Sequence, residues 1–298
     1  MTLPRILLTG KNGQVGFELQ RALAPLGEVI AVGTADCDLS DANAIRALMQ
    51  RVQPQLVVNP AAYTAVDKAE SDADKARAVN AVAPGVLGEE ASRLGASVIH
   101  YSTDYVYDGS KDGLYTEADP VSPQSVYGQT KLDGERALQA ATPRHVILRT
   151  SWVVGAHGGN FAKTMLRLAG DRDELKVVAD QFGAPTSASL IADVTAHIAR
   201  QMLRDGADGF PFGVYHLAAA GETSWHAYAQ YVIGEAIGMG KALKATPERV
   251  LPIPASSYPT PARRPQNSRL DTHKLRQTFG LHLPHWQEGV KHILQQIL

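Results

Sequence analysis

The first sixteen residues constrain the fold most. Arg5 to Thr9 holds a compact apolar run, Ile6-Leu7-Leu8, of the kind found in a strand buried on both faces. It breaks into Gly10-Lys11-Asn12-Gly13-Gln14-Val15-Gly16, and Phe17 to Leu23 then continues at helical period. Strand, glycine turn and helix start together form a phosphate cradle. Glycine lets backbone N–H groups approach an anion, and the positive end of the helix dipole favours its charge. The spacing is Gly-x2-Gly-x2-Gly, not the Gly-x-Gly-x2-Gly of the standard dinucleotide fingerprint.

The rest of the chain keeps this alternation. Strand-like runs at Glu28–Val32, Gln55–Asn59, Ser97–Tyr101 and His145–Trp152 are separated by helical segments: one to about Arg51, one over about Asp72–Arg93 interrupted near Pro84, and one opening at Tyr127. Such a rhythm predicts an α/β fold, a Rossmann-like, doubly wound parallel sheet. Composition shifts after Trp152. A glycine-rich loop at 155–160 precedes a helix over Phe161–Ala169. A strand at 176–178, a helix over 187–203, a strand at 214–217 and a helix over 223–237 follow. The proline-rich stretch 254–268 and two closing helices end the chain. The expected division is a dinucleotide-binding domain at 1–153 with 176–218. A smaller, interleaved substrate domain at 154–175 and 219–298 closes over the crevice.

Ligands of such sheets bind outside the carboxyl ends of strands. Thr103 and Asp104 fall at such an end. Tyr127 and Lys131 lie four residues apart, on one face of a helix start. A lysine one turn from a tyrosine, beside a cationic ring, is expected to pull the phenol down toward working pH. That suits a group which gives or takes one proton while a hydride moves. Small residues at Ala61 and Ala62, before Tyr63, let a cofactor approach the backbone. The second strand ends in Gly33-Thr34-Ala35 rather than an acid for the ribose hydroxyls, and Lys11 can reach a 2′-phosphate. NADPH and NADH both remain open, with a lean to NADPH. Asp38 reads either as a partner of the adenine or as part of a helix cap with Asp41.

Formal net charge is −1, so nothing favours nucleic acid or an anionic membrane as partner. The single cysteine, Cys37, excludes an intrachain disulfide and a cysteine metal cluster, and the 10 histidines show no metal-ligand spacing. The chain shows no signal-peptide pattern and no long apolar segment, which predicts a cytoplasmic location.

Seven runs narrow the reading. They are Gly-Lys-Asn-Gly-Gln-Val-Gly (10–16), Ala-Ala-Tyr-Thr-Ala-Val-Asp-Lys-Ala-Glu (61–70) and Tyr-Ser-Thr-Asp-Tyr-Val-Tyr (101–107), then Arg-Thr-Ser-Trp-Val (149–153), Asn-Phe-Ala-Lys-Thr-Met-Leu-Arg-Leu-Ala (160–169), Asp-Gln-Phe-Gly-Ala-Pro-Thr (180–186) and Arg-Pro-Gln-Asn-Ser-Arg-Leu (264–270). With Thr103, Tyr127 and Lys131 they make the chain resemble the extended short-chain dehydrogenase/reductase superfamily, and within it the dTDP-4-dehydrorhamnose reductase family. The resemblance implies reduction of the C4 ketone of dTDP-4-dehydro-L-rhamnose by NADPH or NADH, so the small-molecule partner would be a sugar nucleotide. It places Gly10, Asn12, Gly13, Gln14, Val15 and Gly16 in the cofactor loop and Asp38 and Leu39 near the adenine. Ala61, Ala62 and Tyr63 would line the cofactor, with Tyr127 and Lys131 at its ribose. Thr103, Asp104 and Trp152 would face the sugar, and Tyr127, Lys131 and Thr103 would carry the chemistry. In the proline-rich stretch, Arg263, Arg264 and Asn267 read either as holding the diphosphate or shaping a lid, or as solvated surface residues. Some relatives form a homodimer bridged by magnesium on carboxylates. Glu18 is present here, but the helix start Ser187-Ala188-Ser189-Leu190 lacks acids, which argues against a metal-bridged dimer. Three rivals fit less well: a sugar-nucleotide dehydratase, whose Thr-Asp-Glu is here Thr103-Asp104-Tyr105 without the base for elimination, an epimerase, whose substrate-side runs match less well, and a non-catalytic regulatory subunit, against which the intact Tyr127, Lys131 and Thr103 speak.

Overall fold

The computed structural model describes residues 3–206 and 209–298. Six parallel strands form the central sheet: β1 (Arg5–Leu8), β2 (Glu28–Ala31), β3 (Leu56–Asn59), β4 (Ser97–Thr103), β5 (His145–Thr150) and β6 (Gly213–His216), in the order β6-β5-β4-β3-β1-β2. Period-two alternation divides their side chains between two covered faces. Ile6, Leu8, Val58, Ile99 and Leu148 pack with Leu19 of helix α1 (Gln14–Leu23) and with Ile191 and Ile198 further along the chain. On the other face Leu7, Val57, Val98 and Ile147 meet Ile45 and Leu48 of α2 (Ala42–Val52), Leu87 of α3 (Ala83–Leu94) and Leu138 of α4 (Val126–Ala141). The chain turns back between β1 and β3, the switch point where doubly wound sheets open a crevice.

A second apolar core lies in the later half of the chain. Helices α5 (Phe161–Asp171), α7 (Trp225–Gly238) and α9 (Trp286–Ile297) build it around Met165, Tyr228, Val232, Val290 and Ile293. Leu175–Val178 pairs in parallel with Val250–Ile253 beside this core. Helix α6 (Ala188–Asp205) lies on the first core, and so does α8 (His273–Phe279), through Leu275 and Phe279.

Two elements differ from their sequence reading. The helix over 72–93 is not interrupted at Pro84. Ala73–Arg77 runs into a π-helical turn, Ala78–Val82, and then into α3, with Pro84 in the first turn of α3. Widening the helix just before a proline accommodates the missing N–H without a break. Strand β5 ends at Thr150, and Trp152 has φ +50, which removes it from the strand. Among the described residues no helix is long and apolar enough to cross a membrane.

Candidate active site

The glycine turn is built as a cradle. Gly10 has φ +61, and a Cβ on Gly16 would lie 2.0 Å from the Gly10 carbonyl oxygen, so α1 begins pressed against the turn. Gly13 is the N-terminal cap, and Gln14, Val15 and Gly16 form the first turn of α1. The Gly13 amide donates to the Gly10 carbonyl at 2.9 Å, and the amides of the next three residues, with the helix dipole, suit a phosphate. Beside the turn opens a cleft of about 230 Å³ lined by Gly10, Gly33, Asp38, Leu39, Ala61, Ala62 and Tyr63, among others. It gathers the residues that follow β1, β2 and β3. Asp38 is exposed and uses Oδ1 to accept from the Ser40 amide, at 2.9 Å, and from its hydroxyl. Asp41, not Asp38, caps α2. Lys11 stands at the rim, its amine 2.7 Å from Asp36 Oδ2.

Helix α4 delivers the second group. Ser125 caps it by accepting from the Gly128 amide at 3.1 Å. A Cβ on Gly134 would meet the Asn80 carbonyl oxygen at 2.0 Å, so α4 lies tight on the π-helical turn. Tyr127, Lys131 and Glu135 follow one another at four-residue spacing on the inner face of α4. Lys131 and Glu135 are buried and Tyr127 is half-buried. Glu135 holds Arg149 of β5 through two bonds, 2.9 and 2.6 Å.

At the end of β4, Thr103 donates to Asp104 Oδ1 at 3.0 Å and accepts from the Tyr105 amide at 3.2 Å. Burial pushes the Asp104 carboxyl up to about 6, against the Ser268 and Thr103 hydroxyls, which hold it down. Burial also raises the Tyr127 phenol above its ordinary range. The Asp104 charge adds to this, and a hydrogen bond with the Thr103 hydroxyl opposes it. Thr103 and Asp104 therefore lie close enough to the Tyr127 phenol to bias its proton. The expected downward pull of Lys131 on the phenol is not what the geometry shows. The Lys131 amine turns to β4, donating to the Tyr101 carbonyl at 2.6 Å, while the phenol sits beside a carboxylate. Burial lowers Lys131 itself to about 8, with Glu135 acting against that.

Trp152 packs its ring on Trp225, centroids 3.6 Å apart, and lies so close to Gly183 that a Cβ there would meet it at 2.7 Å. A positive φ at a tryptophan is strained, and such strain is concentrated at functional sites. Arg264 reaches across to Asp67 at 2.7 Å, and Asn267 donates inward to the Lys111 and Gly113 carbonyls. The proline stretch thus forms a pinned wall, and Arg263 and Arg264 line a further cleft of about 460 Å³.

A dinucleotide fits these residues. Besides the cradle, four buried oxygens cluster at the carboxyl ends of β4 and β5: Ser102 Oγ, Asp104 Oδ2, Thr150 Oγ1 and Ser151 Oγ. None of them has a partner within the protein. Buried polar atoms are otherwise almost always paired, so this edge is shaped for a polar ligand.

The whole chain aligns with known proteins. Residues 4–298 match the family model described as RmlD substrate binding domain. The dTDP-4-dehydrorhamnose reductase of Escherichia coli K12 is 50% identical over 98% of this chain and 97% of its own. This chain belongs to the dTDP-4-dehydrorhamnose reductase family. The enzyme of that name from Clostridium acetobutylicum superposes with a TM-score of 0.88 at 37% identity, covering 98% of both chains. The Bacillus anthracis reductase, solved in complex with NADP, also gives 0.88, at 29% identity over 99% of this chain and 100% of its own.

Several residues around the reductase crevice were not singled out from sequence. Asn80 holds the Tyr63 amide and carbonyl at 2.8 and 3.1 Å and donates to Thr130 at 3.2 Å, joining the cleft to α4. His157 and Asn160 strap the 155–160 loop onto the glycine turn, through the Asn12 carbonyl at 3.0 Å and Gln14 Oε1 at 3.0 Å. Trp225 backs Trp152. Each acts across more than sixteen positions of sequence, so no local spacing announces it. Glu18 is tied to Arg21 at 3.6 Å. Among the described residues no group of three or more His, Cys, Asp or Glu side chains could hold a metal.

Proposed function

We propose that the chain reduces the C4 ketone of dTDP-4-dehydro-L-rhamnose to dTDP-L-rhamnose, with NADPH or NADH as reductant and Tyr127 as proton donor. The observation that carries the reading is the meeting of Thr103 and Tyr127 at the carboxyl edge of the sheet, beside a glycine cradle. When bound, NAD(P)H supplies the hydride. The amides of Gln14, Val15 and Gly16 would hold its pyrophosphate, with Gly13 shaping the turn. Asp38 and Leu39 would flank its adenine, Ala61 to Tyr63 its middle, and Tyr127 and Lys131 its ribose. As negative charge grows on the ketone oxygen, Tyr127 gives it a proton and Thr103 donates a second hydrogen bond. That bond replaces the one Thr103 makes to Asp104. Lys131 keeps a positive charge near the reacting edge, while Asp104 and Trp152 bound the sugar.

A dehydratase needs a base where this chain has Tyr105. Burial and the Asp104 charge push the Tyr105 phenol up to about 12, so it remains protonated at neutral pH. Dividing the domains by the two cores moves Leu175–Val178 to the substrate side and α8 to the cofactor side of the division read from sequence: the sheet with its helices would carry the cofactor, and the second core the sugar nucleotide. The test is loss of NADPH absorbance on adding the keto sugar, with each cofactor in turn. Stoichiometric oxidation with a 6-deoxyhexose product is expected. Water loss from a dTDP-hexose, or no oxidation at all, would overturn the reading.

A further inference from the structure

Three polar side chains that no step above uses run as a buried row to Lys131. Thr9, Asn59, His100 and Lys131 are 0%, 1%, 0% and 2% exposed. The row crosses the carboxyl edge of the sheet. Thr9 follows β1, Asn59 ends β3, and His100 lies opposite Asn59 in β4. Thr9 Oγ1 is 2.5 Å from Asn59 Oδ1. His100 Nδ1 is 3.2 Å from the Asn59 carbonyl oxygen and 3.1 Å from Asn59 Nδ2, and His100 Nε2 is 3.4 Å from the Lys131 amine.

The chemistry of the two ends chooses the tautomer. A backbone carbonyl only accepts and an ammonium only donates. Both ask for the proton on Nδ1 and the lone pair of Nε2 facing Lys131; the Asn59 amide 3.1 Å from Nδ1 then presents its oxygen to the ring and its nitrogen to the Thr9 hydroxyl, which accepts. Burial and the Lys131 charge keep the ring neutral, so it offers an acceptor without adding a repelling charge.

We propose that His100 is a positioning residue whose Nε2 fixes the Lys131 amine, and that Asn59 and Thr9 hold that amine in register with the glycine turn that starts at Gly10. The inference rests on the reading that Lys131 serves the reduction. Other charged groups around Lys131 are Glu135 on its own helix, itself paired with Arg149 of β5, and Asp104 beyond β4, which acts on Tyr127. Without the imidazole acceptor the ammonium keeps one protein oxygen, that of Tyr101. Its proton then leaves at lower pH, and the lysine-dependent step is lost sooner as pH rises.

The test is a carbon-13 NMR titration of lysine Cε in the full chain, with the Lys131 signal assigned by its absence in Lys131→Met. Wild type should titrate at about 8. His100→Phe keeps a ring and loses the acceptor, and its midpoint should fall by roughly one unit. His100→Gln, whose amide oxygen reaches toward the place of Nε2, should restore it. The high-pH limb of kcat/KM should move in the same order. If His100→Phe does not fold, His100→Leu is read in the same way. An unmoved midpoint in the folded variant, or Gln behaving as Phe, would overturn the proposal. Midpoints that move as described across the variants, with a wild type that reduces no keto sugar, would instead overturn the reading of the reaction.

Discussion

Asp104 carries its charge where charge is disfavoured. It is buried, Oδ2 has no partner within the protein, and its carboxyl is raised from 3.8 to about 6. A folded-state value above the unfolded one has a definite sign. The stability it confers is full below about 3.8 and is lost as pH rises through about 6. Asp104→Asn keeps the shape and removes the charge. It should raise the melting temperature at about pH 8 and leave it nearly unchanged at about pH 4. Two pH units correspond to on the order of 2–3 kcal/mol. Thermal unfolding at both pH values checks this, and an equal shift at the two would contradict it. Residues that weaken a fold and yet face a crevice are the ones to suspect of function. Trp152, with its positive φ, is the second such residue here.

Helix α4 is where local pattern and tertiary packing meet. The four-residue spacing of Tyr127 and Lys131 was legible in the sequence because a helix repeats locally. The closeness of the helix to its neighbour was not, because it depends on Gly134 facing the Asn80 carbonyl 54 positions away. Gly134→Ala gains about 1 kcal/mol of helix propensity. The added Cβ would fall 2.0 Å from that oxygen, well inside contact, so overpacking should win. A net loss of about 1–2 kcal/mol is expected, by analogy with core overpacking. Asn80 also holds both polar backbone groups of Tyr63, so NADPH binding should weaken in the same variant. Urea unfolding and a cofactor titration measure the two effects, and full stability with intact binding would contradict the packing argument. The π-helical turn before Pro84 was unreadable for a related reason. A proline signals that one N–H is missing, but not whether the chain breaks or widens around it.

At the scale of the molecule, alternating apolar runs predicted the doubly wound sheet, and its six strands lie where those runs lie, apart from the end of β5. The cradle and the carboxyl-edge residues were legible because each follows directly from a strand end. The buried row from Thr9 to Lys131 and the strap from His157 to the glycine turn were not, since they join distant segments through side chains alone. The direction of the Tyr127 shift was misread for a similar reason: spacing reports a lysine one turn away, but not that its amine points to another strand. The central claim is that this phenol is the proton donor to a ketone reduced at the sheet edge. It is tested most directly by measuring turnover and NADPH affinity in Tyr127→Phe. The expected result is a fall in kcat of ~10²–10⁴-fold with NADPH affinity nearly kept. Turnover close to that of the wild type would contradict the account.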